Sequence, residues 1–292
     1  MSAAAPRRPW AATAWHAWRR ARRSPGMLPG MLVLALHLMA ALAAPLIVPH
    51  SPTAIAPERA LAGPSPAHPF GNDRFGRDLL SRVMLGGRIA IAIGLTGGAI
   101  AVLLGGLVGV LVGYLGGLTD ELVMRLVDAL IAIPGLLLLL VVVTGLGNGY
   151  GVILLAMVLS YAPGAARVAR AAAHEYVPRD FITAARARGE HALAVAGLEL
   201  WPNVVGVLLV EFAMRTSWIV LSVSGLSFLG FGVNPPTPDW GLMIAENRSM
   251  LALAPWGVVF PLAAMATLVV ALNLVADGLA QLLGVDRTTE AR

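Results

Sequence analysis

The sequence predicts an all-α polytopic membrane protein of six transmembrane helices, and three observations carry that fold class. Hydrophobic residues make up 58% of the 292 and charged residues only 13%, whereas soluble domains carry roughly 25% charged residues. Mean hydropathy is +0.77. Uncharged runs recur along the chain and meet the ~20 apolar residues that a bilayer crossing needs, with arginines or Pro/Gly-rich stretches between them.

Each element follows in order. Residues 1–26 contain Arg7, Arg8, Arg19, Arg20, Arg22 and Arg23 and no acid, a basic N-terminal segment. An uncharged run from Met27 to Val48 follows. Its length, Pro29, Pro45 and the lack of a small-residue cleavage site predict an uncleaved first span rather than a signal peptide. Residues 27–87 are therefore a first helix and an outer, periplasmic loop. The second uncharged run, Ile89 to Leu118, carries Gly105, Gly109, Gly113 and Gly117 at four-residue spacing. That spacing predicts a flat ridge on one helix face, suited to close helix approach. A third span is expected from Leu126 to Gly145, kinked at Pro134. The turn "GLGNGYG" (145–151) leads into a fourth span, Val152 to Ala166. Spans five and six are expected at Val204–Gly232 and Leu251–Ala276.

Six spans put both termini on one side, and arginine asymmetry chooses that side. With the termini cytoplasmic, inner segments collect the six N-terminal arginines, Arg125, Arg167, Arg170, Arg179, Arg186, Arg188, Arg287 and Arg292. Outer loops then hold only Arg59, Arg74, Arg77, Arg82, Arg88 and Arg248. The basic balance, a pI near 10.6, thus reads as a topology signal. No aromatic-basic surface for nucleic acid accompanies it.

The stretch "FITAARARGEHALAVAGLELWPN" (181–203) is then cytoplasmic. Between Arg167 and Pro202 the arginines are nearly matched by Glu175, Asp180, Glu190 and Glu199, so attraction to anionic lipid is weak. A mixed-charge, Ala-rich pair of short helices bent at Gly189 suits a protein partner instead. Within the spans, Glu211 and Arg215 stand at i, i+4 in the favourable order for a helical ion pair. They either face a translocation path or neutralise one another at a subunit interface. Asp128 falls near the cytoplasmic mouth of span three, as a cap, a gate or a substrate contact. His37 reads as a neutral packing residue or interfacial donor. The "NPPTPDWG" loop (234–241), stiffened by Pro235, Pro236 and Pro238, forms a rigid cover over the outer mouth.

Cysteine is absent, which excludes disulfides and thiolate sites. All 21 basic residues are arginine, and a phosphate-binding P-loop requires a lysine. The chain therefore binds no ATP of its own through such a loop, and no cofactor is expected on it. An ion-gradient-driven secondary transporter is the alternative class. It would call for inverted repeats and intramembrane carboxylates beyond Glu211. An intramembrane enzyme finds no Cys, no His-Glu-x-x-His and no paired intramembrane aspartates.

"TAARARGEHALAVAGLELWPN" resembles the coupling loop of ATP-binding-cassette importer permeases: Glu-Ala-Ala, three residues, Gly, nine residues, Ile-x-Leu-Pro. Ala184, Ala185, Gly189 and Pro202 occupy matching positions, while Thr183, Glu199 and Trp201 depart from the pattern. "HPFGNDRFGRDLLSRVMLGGRIAIAIGL" (68–95), "MRLVDALIAIP" (124–134) and "LSFLGFGVNPPTPDWGLMI" (226–244) are similar to the second permease subunit of dipeptide, oligopeptide and nickel-type importers. The resemblance covers nearly the whole chain, although the ending "AQLLGVDRTTEAR" departs from the family's Arg-Asp-x-Leu-Asp-Pro.

The resemblance implies a type I importer transmembrane domain over 88–278, a coupling loop at about 171–203 and a cytoplasmic tail at 279–292. It implies a non-catalytic subunit in the bacterial inner membrane that forms half of a pathway for di-/oligopeptides or related solutes. The implied partners are a second permease, two ATP-binding subunits and a periplasmic or lipoprotein solute-binding protein, which the "NPPTPDWG" loop would contact. Thr183, Ala184, Ala185, Gly189 and Pro202 would lie in the loop that rests in an ATPase cleft.

Overall fold

Long apolar helices dominate residues 26–285, which the computed structural model describes. The basic segment before residue 26 and the second half of the predicted tail, with Arg287 and Arg292, lie outside the described residues. Five helices are long and apolar enough to cross a bilayer, and a sharply bent pair brings the number to six. These are α1 (Met27–Ile47), α2 (Leu79–Leu115), the pair α3 (Gly117–Ala132) and α4 (Gly135–Leu146), α5 (Tyr150–Tyr176), α7 (Trp201–Phe228) and α9 (Trp256–Leu283). Two short helices, α6 (Asp180–Ala187) and α8 (Trp240–Asn247), sit at opposite ends.

Helix α2 begins well before the uncharged run, because Asp78 caps it by accepting from the Ser81 amide at 2.8 Å. Its 37 residues span about 55 Å at ~1.5 Å per residue, more than the ~30 Å hydrocarbon layer. Arg82 and Arg88, expected in a loop, therefore lie in the first three turns of α2. The third span also differs from expectation. Instead of one kinked helix, α3 and α4 meet at 86°. Pro134 lacks an N–H and disfavours helix at Ile133, and both residues are extended, with ψ of 123°.

Three of the four ridge glycines do as expected. A Cβ on Gly105 or Gly109 would lie 2.4 or 2.2 Å from the Ala162 or Ala166 carbonyl oxygen of α5, and one on Gly113 would lie 3.1 Å from Ala173 Cβ. Gly117 is not part of this ridge. It follows the end of α2 with φ +59° and faces open space, serving with Gly116 as a turn in the left-handed region.

The core has three parts. An outer cluster joins Leu79, Val83, Trp240, Met243 and Leu272. A middle cluster joins Ile93, Leu139, Ile153, Met157 and Ile219. A third cluster, at the end of the molecule that carries α6, joins Val110, Ile182, Ala185, Val195 and Leu200. Helix α1 rests mainly on α9 and leaves Leu32, Leu42 and Leu46 exposed, as a helix bordering lipid would.

Candidate functional site

The segment around Gly189 is built on one short helix and a sharp stop. Helix α6 buries Ile182 and Ala185 completely against Val110, Val195 and Leu200. Gly189 ends it with φ +74°. The Gly189 amide donates to the Arg186 carbonyl at 3.0 Å and the Glu190 amide to the Ala185 carbonyl at 3.3 Å, the paired bonds of a Schellman stop. The next residues do not form a second separate helix. Ala192–Ala194 and a π-helical turn, Val195–Leu200, lead straight into α7. Gly189 thus joins a short helix to the extended inner end of span five, which corrects the expected pair of short helices.

Exposure divides the predicted coupling residues. Thr183, Ala184, Gly189 and Pro202 are exposed, whereas Ala185 is buried. Successive helical residues lie ~100° apart, so two adjacent alanines cannot share a face, and the expectation that Ala185 belongs to an exposed surface is corrected. Arg186 lies over the Tyr114 ring at 4.7 Å, fastening α6 to the inner end of α2. Arg188 pairs with Glu190 at 2.6 Å, and Leu193 and Leu198 remain exposed beside them.

Glu211 and Arg215 do pair within α7. The Arg215 Nε and Nη2 lie 2.6 and 2.5 Å from Glu211 Oε1. Glu211 is 7% exposed. The guanidinium lies against Gly164 of α5, where a Cβ would come within 2.7–3.0 Å of its atoms. Gly164 was invisible as a partner in the sequence, because nothing local links it to a residue on another span.

Asp128 is exposed and pairs with Arg167 of α5. This ties the inner ends of two spans together, since α5 continues past Ala166 and carries Arg167 and Arg170 as helical residues. A second link of the same kind was missed. Asp120, one turn into α3, accepts from Arg170 Nε and Nη2, both at 2.5 Å, a bidentate geometry that arginine favours. His37 Nε2 is 3.0 Å from Thr267 Oγ1. That hydroxyl donates to the Ala263 carbonyl at 2.8 Å, so His37 is the donor.

The outer end holds a polar cluster that the loop arginines had concealed. Arg77 pairs with Asp73 at 2.6 Å and Glu246 at 2.5 Å, and Arg82 reaches Glu246 at 3.3 Å. Arg82 is fully buried. Two cations and two carboxylates balance, as buried charges require. Arg77 and Arg82 therefore tie the loop before α2 and the start of α2 to α8. The alternation of acid and arginine in "GNDRFGRDLLSR" was the available signal.

The "NPPTPDWG" loop is pinned at both ends. Asn148, in the turn before α5, donates to Asn234 Oδ1 at 2.6 Å, and buried Trp240 donates from Nε1 to the Val83 carbonyl at 2.8 Å. Asp239 caps α8 by accepting from the Leu242 amide at 3.1 Å, and burial pushes its carboxyl up to about 6. At Asp78, burial alone would raise the carboxyl. Hydrogen bonds from Ser81 and His68 outweigh that and hold it below the usual range.

Known proteins resemble this chain over most of its length. Residues 105–286 match the family described as the binding-protein-dependent transport system inner membrane component, and residues 13–64 match the N-terminal TM domain of oligopeptide transport permease C. The glutathione transport system permease protein GsiD of Shigella dysenteriae serotype 1 is 38% identical over 269 residues, spanning 91% of this chain and 89% of that protein. Its counterparts in Shigella flexneri serotype 5b and Escherichia coli O6:K15:H31 are 39% and 37% identical over the same spans. A chain so alike over nearly its whole length belongs to the family of inner membrane components of binding-protein-dependent transport systems, the permease subunits of ABC importers.

Proposed function

We propose that this permease forms half of a translocation pathway for peptide-like solutes, and that α6 with the Gly189 stop is the surface on which an ATP-binding subunit docks. The single observation that carries the docking surface is the division of α6 into two faces. Ile182 and Ala185 anchor it inward while Thr183 and Ala184 face out, with Gly189 and Pro202 exposed beyond its end. A force applied to the outward face reaches α2 through Arg186 and Tyr114, and α7 through Val195 and Leu200. Closure of the ATPases would thereby rock two spans together.

The assembly we propose contains a second permease, two ATP-binding subunits and an external solute-binding protein. ATP is bound by the partners, and both termini face the cytoplasm. The similarity to permeases named for glutathione, itself a small peptide, supports a peptide-like substrate. The chain performs no chemistry of its own in this scheme: the outer polar cluster holds architecture, and the inner ion pairs link spans.

The test is affinity purification in mild detergent, with identification of co-eluting chains and an ATPase assay. Co-elution of a second permease and ATPase, with peptide uptake lost on Gly189→Pro, is the expected outcome. Isolation of the chain without any ATPase, or unchanged uptake by Gly189→Pro, would overturn the docking assignment.

A further inference from the structure

We propose that His50, His68 and Asp78 form a binding site for a divalent transition-metal ion, with zinc the probe that tests it. His50 follows α1, His68 lies in the outer loop, and Asp78 caps α2. One ligand atom from each lies within 4.8 Å of the other two. Two imidazole nitrogens and one carboxylate oxygen, with an open fourth position, are a donor set that zinc takes.

The carboxylate is already fixed for this task. Asp78 Oδ2 accepts from the Ser81 amide at 2.8 Å and the Ser81 hydroxyl at 2.6 Å, leaving Oδ1 turned toward the two rings. His68 Nδ1 lies 2.9 Å and His50 Nδ1 3.9 Å from that one oxygen, with the ring centroids 4.4 Å apart. The His68–Asp78 hydrogen bond alone would account for two of the three residues as a structural link. It does not account for His50, whose Nδ1 is buried and has no hydrogen-bond partner among the described residues. Buried polar atoms are ordinarily satisfied. A metal ion bridging Nδ1 of both rings to Asp78 Oδ1 satisfies this one.

Arg59 makes the proposal sharper. Its Nη1 lies 3.1 Å from His68 Nε2. Arginine only donates, so Nε2 accepts and the ring proton sits on Nδ1, where it is donated to Asp78. Coordination through Nδ1 requires the other tautomer: the proton leaves Nδ1, Nε2 takes one up, and Arg59 must turn away. No proton is lost overall and no redox partner is needed. Arg59 has somewhere to go, since its side chain is 52% exposed and Glu58 lies 3.8 Å from it. Arg59 is therefore an antagonist of the site, and the bound ion would fasten the end of α1 to the start of α2.

The experiment is calorimetric titration of the purified full chain, in its complex, with zinc chloride after removal of any polyhistidine tag. Cobalt(II) absorbance reports the donor set. Saturable binding is expected, weakened at least about tenfold in His50→Ala, where loss of even an outer-shell partner costs 10–100-fold, and strengthened in Arg59→Ala. Zinc should raise the unfolding temperature of the parent but not of His50→Ala, and without zinc the two should unfold alike, which separates lost binding from lost folding. Parent-like binding by His50→Ala, no zinc uptake by the parent, or weaker binding by Arg59→Ala would overturn the proposal.

Discussion

Arg215→Ala isolates the value of a charge pair inside span five. In the parent, Glu211 Oε1 receives both Nε and Nη2 of Arg215, at 2.6 and 2.5 Å, and Glu211 is 7% exposed. Truncating the arginine leaves that carboxylate with neither bond. Two unit charges ~4 Å apart attract by about 4 kcal/mol at an effective dielectric of ~20, and breaking a buried pair from one side costs about 3–5 kcal/mol. Replacing Glu211 and Arg215 together removes the stranded charge and should recover about half of that loss or more. The assay is thermal unfolding in detergent, followed by size-exclusion of the remaining folded chain. A loss of 3–5 kcal/mol lowers the transition by on the order of 10 °C. Gly164 supplies a control. The guanidinium is the mobile end of a side chain, so Gly164→Ala should displace it slightly and be mild, whereas Gly164→Leu should reproduce much of the Arg215→Ala defect. Equal shifts in the single and double variants would refute the pair.

Three further outcomes are expected. Ala184→Trp, on the exposed face of α6, should leave thermal stability unchanged and abolish ATPase co-purification, while Ala185→Trp, fully buried, should overpack the cluster and cost about 1–3 kcal/mol or more; the reverse pattern in the two assays would invert the assignment of faces. Gly109→Ala should destabilise strongly in a thermal assay, because its Cβ meets the Ala166 carbonyl at 2.2 Å and backbone cannot yield, whereas Gly117→Ala meets only the left-handed backbone cost of about 1–2 kcal/mol. Asp239, raised from 3.8 to about 6, keeps its proton when folded after the unfolded chain has lost it, so its contribution to stability is intact below pH ~4 and declines as pH rises to about 6. Asp239→Asn, which retains the cap, should flatten that decline of about 3 kcal/mol in a pH series of unfolding temperatures.

Composition and run length made the six spans legible, since each apolar run must end up in a helix when no water can satisfy its backbone. The glycine ridge was legible for the same local reason: spacing on one helix fixes a face, and Gly105, Gly109 and Gly113 needed only a partner. Pro134 was legible as a break but not in its angle, because the 86° turn depends on how α3 and α4 each pack. Arg77 and Arg82 were misjudged as simple loop charges. Their value lies in Asp73 and Glu246, and Glu246 stands on a different outer element. The pairing with Glu246 is set by tertiary approach, which no window of sequence contains.

The inner segment shows where a motif stops being informative. Thr183, Ala184 and Ala185 sit in consecutive positions, and spacing alone cannot say which of them turns inward. The structure decides through packing. Ile182 and Ala185, at i and i+3, form one stripe and close the cluster with Val110 and Val195, which leaves Thr183 and Ala184 outward. Two adjacent alanines thus meet different demands. Ala185 must be small because α6 packs against the π-helical turn Val195–Leu200 that leads into α7. Ala184 is small on a face that, under the proposed docking, a partner must approach closely. Under the proposed docking, the same division would let a short helix transmit force: its inner stripe is packed into one core cluster, its Gly189 stop is hydrogen-bonded in place, and a push on its free face would have little slack to absorb it.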